Sequence, residues 1–172
     1  YYWEGLSIIS NLPISETGST YLTSPSNCKD NNRRVTQYIK VDYASKPLYI
    51  ANVHFSGNEC FATQLQETVR YFNHVVQNQP LMVMGDFNAL PENPAFALFT
   101  DYGLLDTWHL LRPTEPGNTS SAETQKERID YIWVNQAFKG ALTKPEQVQL
   151  EANKKTDGDY PSDHLGVSLQ LP

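Results

Sequence analysis

The sequence predicts an α+β domain in which helices lie as layers on β-sheet. Three observations predict it. Val35, Gln37, Ile39, Val41 and Tyr43 alternate with Thr36, Tyr38, Lys40 and Asp42, the period of two that marks a strand. Leu65, Val69, Phe72 and Val76 recur at helical spacing. Leu81-Met82-Val83-Met84 is a short apolar run between Pro80 and Gly85, as a buried strand would be.

The elements follow in order. Gly5-Leu6-Ser7-Ile8-Ile9-Ser10 reads as a short strand stopped by Asn11 and Pro13. Ser15 to Asn32 is polar with few apolar anchors and reads as a loop. After the alternating strand, Ala44-Ser45-Lys46-Pro47 makes a turn. Leu48 to Phe55 is nearly all apolar, a strand buried on both faces. An amphipathic helix covers residues 60–79 and ends at Pro80. Asn93 is placed as an N-cap with Pro94 at the first helical position, and that helix stops at Gly103. Residues 112–127 hold Pro113, Pro116, Gly117 and several Ser and Thr, and form a loop. Arg128–Val134 is a strand and Val148–Leu150 another. Asn153–Tyr160 is a second polar loop. Val167, Leu169 and Leu171 alternate in a last strand.

The 172 residues fit one domain, 1–172, with a sizeable core, since 40% are hydrophobic. No apolar run reaches the length that spans a bilayer, so no membrane insertion is expected, and the chain is read as a monomer. A formal net charge of −6 argues against a broad grip on nucleic acid, which uses a basic face. The basic clusters, Arg33-Arg34, Lys126 with Arg128, and Lys154-Lys155, read as solvated faces. Cys28 and Cys60 fit no zinc motif and flank the predicted hairpin. They are expected to lie close to each other across it; two free buried thiols is the plainer reading and a disulfide the other. A bridge would point to an oxidising, secreted or periplasmic compartment.

Polar groups recur at the ends of buried strands: His54, Asp86 with Asn88, Asp130, and Asp163 with His164. Strand-end loops are where a rigid scaffold presents chemistry, and an ionisable group on an apolar strand must be paired or hydrated. Each has a bland reading by itself. His54 is then a satisfied structural residue, Gly85-Asp86-Phe87-Asn88 a turn, Asp130 an ion-pair partner of Arg128, and Ser162-Asp163-His164 a loop.

Their order changes the weighing. Asn52-Val53-His54-Phe55, Gly85-Asp86-Phe87-Asn88, Arg128-Ile129-Asp130-Tyr131-Ile132 and Ser162-Asp163-His164 resemble the motif series of the endonuclease/exonuclease/phosphatase (DNase I-like) superfamily. Glu4-Gly5-Leu6-Ser7-Ile8-Ile9-Ser10 and Leu105-Asp106-Thr107-Trp108 resemble two further family segments. The resemblance implies a four-layer α/β/β/α sandwich of two packed mixed sheets, with the site at one end of the sheets. It implies hydrolysis of a phosphodiester or phosphomonoester by in-line attack of activated water. Asp86 would orient and deprotonate the water, His54 and His164 would donate to phosphate oxygens, Asn88 would hold phosphate or metal, and Asp130 would hold His164. Asp163, Asp86 and Asn88 are the expected metal ligands. The cofactor expected is Mg²⁺, with Mn²⁺ as the alternative, because carboxylate and amide oxygens suit a hard cation. Trp108 is placed at the substrate mouth beside His54, Asn88 and His164. The substrate class stays open among nucleic acid, lipid headgroup and small phosphate ester.

One departure qualifies this. The family's first strand carries an Asn and the next segment a metal-binding Glu, both upstream of the Glu4-Gly5 strand. The chain is therefore expected to be an N-terminally truncated domain that holds metal weakly and turns over little. A second reading follows, a catalytically incomplete member that binds phosphate ligands. His74 and His109 are read as surface residues, and Asn118-Thr119-Ser120 as a glycosylation sequon that matters only in a secreted eukaryotic protein.

Overall fold

The computed structural model describes residues 5–26, 28–30 and 32–171. Among the described residues eight strands form two sheets, with helices packed on the larger. β1 (Ile14–Tyr21) pairs antiparallel with β2 (Val35–Tyr43), and β2 with β3 (Lys46–His54). β3 runs parallel to β4 (Leu81–Asp86), and the crossover between them carries α1 (Phe61–Val75). β6 (Asp130–Asn135) pairs antiparallel with both β4 and β5 (Leu104–Asp106), so the sheet is mixed, in the order β1-β2-β3-β4-β6-β5. β7 (Val148–Glu151) and β8 (Gly166–Leu169) form a two-stranded antiparallel sheet. α2 (Ala97–Asp101) follows a short 3₁₀ turn at Pro94–Phe96, and α3 (Thr107–Leu111) follows β5.

Alternation along the strands splits the core in two. Tyr49, Ala51, Val53, Leu81, Val83, Tyr131 and Trp133 point to α1 and α2 and join Phe61, Leu65, Phe72 and Phe99. Ile39, Val41, Leu48, Met82, Ile132 and Val134 point the other way, to Trp108, Leu111 and Val148. Fully burying each such side chain is worth about 1.5–3 kcal/mol, so both faces of the large sheet are committed. That two-sided burial is why β3 reads as a continuous apolar run.

Several boundaries differ from expectation for local reasons. Gly5–Ser10 forms no strand. It is irregular chain, tied to β3 by Ser7 O, which accepts from Asn52 Nδ2 at 3.1 Å, and Ile9 is 96% exposed. Glu4 lies outside the described residues. The stretch read as a loop from Ser15 begins as strand β1. Its residues are mostly exposed on both faces, as an edge strand's are, so no apolar alternation marks it. The turn is shorter than Ala44–Pro47. Ala44 and Ser45, at φ 50° and 62°, form a two-residue hairpin loop between paired Tyr43 and Lys46. The helix of the crossover ends before residue 79 because Gln77 and Asn78 turn to φ 48° and 66°. Asn93 caps as expected, its Oδ1 accepting from Ala95 N at 3.0 Å, and Gly103 at φ 92° stops the segment.

One reading of charge is overturned, and the cysteine pairing that the sequence left open is decided. Cys28 and Cys60 lie close across the hairpin, as expected, and are bridged, with Cα atoms 5.1 Å apart. Arg34 and Arg128 are not solvated: both are buried, paired to Asp30 and Asp106 respectively at 2.8 and 2.7 Å. Among the described residues no helix is long and apolar enough to cross a membrane.

Candidate functional site

Strand register builds the site. On the face toward β7 and β8, three rungs cross β3, β4 and β6. The first is Ile50, Met82 and Val134; the second Asn52, Met84 and Ile132; the third His54, Asp86 and Asp130. Residues two apart on a strand share a face, so an apolar rung gives way, through Asn52 in the second, to a polar one where the sheet ends. The same hydrogen bonding that packs the core places an imidazole and two carboxylates side by side.

The groups then engage one another. His54 Nε2 lies 3.4 Å from Asp86 Oδ2. Asp86 Oδ1 accepts from Asn88 N at 2.8 Å, an Asx turn with Asn88 at φ 48°. The Asn88 amide donates to Phe55 O at 2.9 Å, tying this turn to the end of β3. Gly85, at φ 139°, permits the approach, because a Cβ there would strike the Val53 carbonyl. His164 arrives from the loop before β8 and its Nδ1 meets Asp130 Oδ2 at 2.9 Å. An ionised carboxylate only accepts, so Nδ1 is the donor and Nε2 is left for the site. Asp86, Asp130 and His164 offer ligand atoms within 4.8 Å of one another.

Burial raises the Asp130 pKa above the ordinary carboxylate value. A hydrogen bond from Thr119 opposes the rise, the facing Asp86 adds to it, and His164 opposes it. Two carboxylates in one place repel, and a dication between them would relieve the repulsion. The oxygen-rich donor set therefore fits a hard divalent metal.

His54, Asp86, Asn88, Asp130 and His164 are brought together. Asp163 is not part of the Asp86–Asp130–His164 group. It is exposed, its Oδ1 accepts from its neighbour Ser162 at 3.3 Å, and its carbonyl binds Ala122 N. Trp108 is 7% exposed and its indole donates to Glu115 O at 2.9 Å, while Gly117 closes on the ring. It borders a surface cavity of about 460 Å³ that includes Arg112, Lys126 and Arg128 but none of the rung. A second cavity, about 340 Å³, includes Asp130, Asn52 and Met84. Arg128 pairs with Asp106 rather than Asp130, which leaves Asp130 to His164. His74 and His109 are exposed, as read.

Thr119 is the residue the sequence reading missed. It is fully buried, and its hydroxyl accepts from the N–H groups of Ile129 and Asp130, both at 3.3 Å. Its carbonyl accepts from Leu165 N at 2.9 Å. One side chain and one peptide thus hold Asp130 and the His164 loop together. The sequence marked it solely as the middle of the Asn118-Thr119-Ser120 sequon, in a loop with no periodicity to read.

The chain belongs to the Endonuclease/Exonuclease/phosphatase family, whose model matches residues 1–164. It is 27% identical over 157 residues to Nocturnin of Mus musculus, a match that covers 81% of this chain and 37% of Nocturnin's length. Among solved structures it resembles a conserved protein of unknown function from Enterococcus faecalis, at 20% identity and a TM-score of 0.72, covering 94% of this chain and 67% of that one. A mannosyl-6-phosphatase from Bacteroides thetaiotaomicron gives 19% identity and a TM-score of 0.66, again over 94% and 67%. The fold is DNase I-like.

Proposed function

We propose that the domain is a phosphoesterase that hydrolyses a phosphate ester by in-line attack of water. The observation that supports this best is the polar rung His54–Asp86–Asp130 with His164 hydrogen bonded to its far end. Asp86 accepts the proton of the attacking water, and its Oδ1, bonded to Asn88 N, is fixed for that task. His54 and His164 donate to non-bridging oxygens, where charge develops. Asp130 accepts from His164 Nδ1 and so fixes the ring and its tautomer. Asn88, whose amide nitrogen donates one hydrogen to Phe55 O, keeps a second N–H for a phosphate oxygen and its Oδ1 for the metal. Asp86 and Asp130 would hold Mg²⁺ or Mn²⁺, with Asn88 and Asp163 as further candidate ligands. Such an ion neutralises phosphoryl oxygen charge.

The substrate class is nucleic acid, lipid headgroup or small phosphate ester, and the net charge of −6 weighs against nucleic acid. The Cys28–Cys60 bridge supports an oxidising, secreted or periplasmic compartment. The place of Asp163 favours a second reading, a binding module for phosphate ligands. One experiment separates the two. The chain is stripped with EDTA, and hydrolysis of bis-p-nitrophenyl phosphate and p-nitrophenyl phosphate is followed with and without added Mg²⁺. Metal-dependent release of nitrophenol from either ester supports the enzyme. Phosphate binding by calorimetry without any release leaves the binding module.

A further inference from the structure

The connection from β1 to β2, residues 22–34, is built more heavily than a surface crossing needs. Leu22 N donates to Arg34 O at 3.0 Å and closes its base. Beyond that base, Cys28 is bridged to Cys60 at the start of α1. Asp30 Oδ2 accepts from Ser56 Oγ at 2.6 Å and from Arg34 Nε at 2.8 Å, and Asp30 Oδ1 accepts from Asn32 N at 2.8 Å. The side chains of Asp30 and Arg34 are only 17% and 10% exposed, so this ion pair is taken largely out of water.

The network continues inward. Ser56 is 1% exposed, its N–H donates to Gln64 Oε1 at 2.8 Å and its hydroxyl accepts from Gln64 Nε2 at 3.1 Å. Gln64, fully buried on α1, also donates to Thr23 O at 3.3 Å, back on the connection. Ser56 stands two residues after His54. The peptide between them, Phe55, donates to Asp86 O at 3.0 Å and accepts from Asn88 Nδ2 at 2.9 Å. The segment His54–Ser56 is thus gripped from one side by Asp86 and Asn88 and from the other by Asp30.

We propose that Asp30, held in place by the Cys28–Cys60 disulfide, is a positioning residue that sets His54 and Asn88 in the site. The grip acts through Ser56 on the backbone, so Asp30 touches no substrate. Its effect on turnover rests on the phosphoesterase reading; its effect on Asn88 does not. Misplacing a reacting group by an ångström costs on the order of a hundredfold in rate. Reduction of the disulfide frees the connection and loosens the same segment, which ties the state of the site to the redox state of its compartment.

The test uses the whole chain and three variants: Asp30→Asn, the pair Cys28→Ser with Cys60→Ser, and Val148→Ala as a core variant in the second cluster. The readout is the Asn88 side-chain amide by NMR, its chemical shift and hydrogen exchange. Exchange is expected to speed up by about tenfold or more in Asp30→Asn and in the cysteine pair, and to stay at the wild-type rate in Val148→Ala. Turnover of bis-p-nitrophenyl phosphate is expected to fall by about tenfold to a hundredfold in the first two, with KM unchanged. An Asn88 amide that keeps its shift and exchange in Asp30→Asn overturns the proposal. Asp30→Asn retains the disulfide and decides the matter if the cysteine pair does not fold. A wild-type chain that hydrolyses neither nitrophenyl ester refutes the phosphoesterase reading alone, and the Asn88 amide still decides the positioning role.

Discussion

Asp130→Asn separates activity from stability in this site. The carboxylates of Asp86 and Asp130 present oxygens within 4.8 Å. At that distance and an effective dielectric near 20, two negative charges repel by about 3.5 kcal/mol. Their side chains are 20% and 19% exposed, so water screens only part of this. The asparagine removes the repulsion and keeps an oxygen for the His164 Nδ1–H. Loss of charge attraction to His164 offsets part of the gain, and a net stabilisation of about 1 kcal/mol remains, or roughly 2–4 °C in Tm. The sign follows from the raised pKa of Asp130. A carboxyl with a raised folded pKa penalises the fold above that pKa, and the penalty vanishes as pH falls below the unfolded value of about 3.9. The Tm advantage of the variant should therefore be present at pH 7 and shrink toward pH 4, measured in EDTA. Turnover should move the opposite way. An amide oxygen accepts more weakly than a carboxylate from His164 Nδ1 and fixes the ring less firmly, and a fall of about a hundredfold to ten-thousandfold is expected, equivalent to about 3–5 kcal/mol of barrier. A variant that is less stable at pH 7 and hydrolyses nitrophenyl esters at the wild-type rate would refute the arrangement.

In a form of the domain that carries the family's upstream Asn and Glu segments, Asp86→Ala and His164→Ala should each lower turnover by about a hundredfold to ten-thousandfold with Mg²⁺ present, and near-normal rates in either variant remove that residue from the mechanism. Calorimetric titration should show weak Mg²⁺ binding to the chain alone and tighter binding with inorganic phosphate, because two aspartates leave most of the cation's shell to water and phosphate; micromolar affinity without phosphate contradicts this. The disulfide closes a separation of 32 residues, which corresponds to about 4 kcal/mol of unfolded-state entropy, so dithiothreitol should lower Tm by roughly 8–16 °C. A drop under 2 °C (about half a kcal/mol) contradicts that estimate. Burial alone would raise the Asp30 pKa, but Ser56, the Asn32 N–H and Arg34 outweigh it and hold it low. Its contribution is therefore present above about pH 3.9 and lost as pH falls through the lowered value. The Tm gap between wild type and Asp30→Asn should be steady from pH 7 to 5 and close below pH 4. A gap that widens on acidification reverses the sign.

Much of this was legible in the chain because local rules carried it. Alternation marked β2, apolar runs marked β3 and β4, and Asn93-Pro94 marked a helix start, since period and capping are properties of neighbouring residues. The motif order named His54, Asp86, Asn88, Asp130, Asp163 and His164; all but Asp163 meet in the fold, and Asp163 stays exposed beside Ser162. What the sequence did not mark depends on distant partners. β1 is a strand because β2 offers it a ladder, although its own residues are polar and exposed. Gly5–Ser10 has a strand's composition, but no ladder forms along it among the described residues. Arg128 lies two residues from Asp130 yet pairs with Asp106, because β5 delivers a carboxylate that leaves Asp130 for His164. Thr119 and Asp30 belong to loops whose composition reads as solvent-facing. Their importance comes from hydrogen bonds to residues 10 to 46 positions away, which only the folded chain brings within 3.5 Å. Residue chemistry and period are written locally, whereas the pairing of buried charges is settled by which strand ends the register sets side by side.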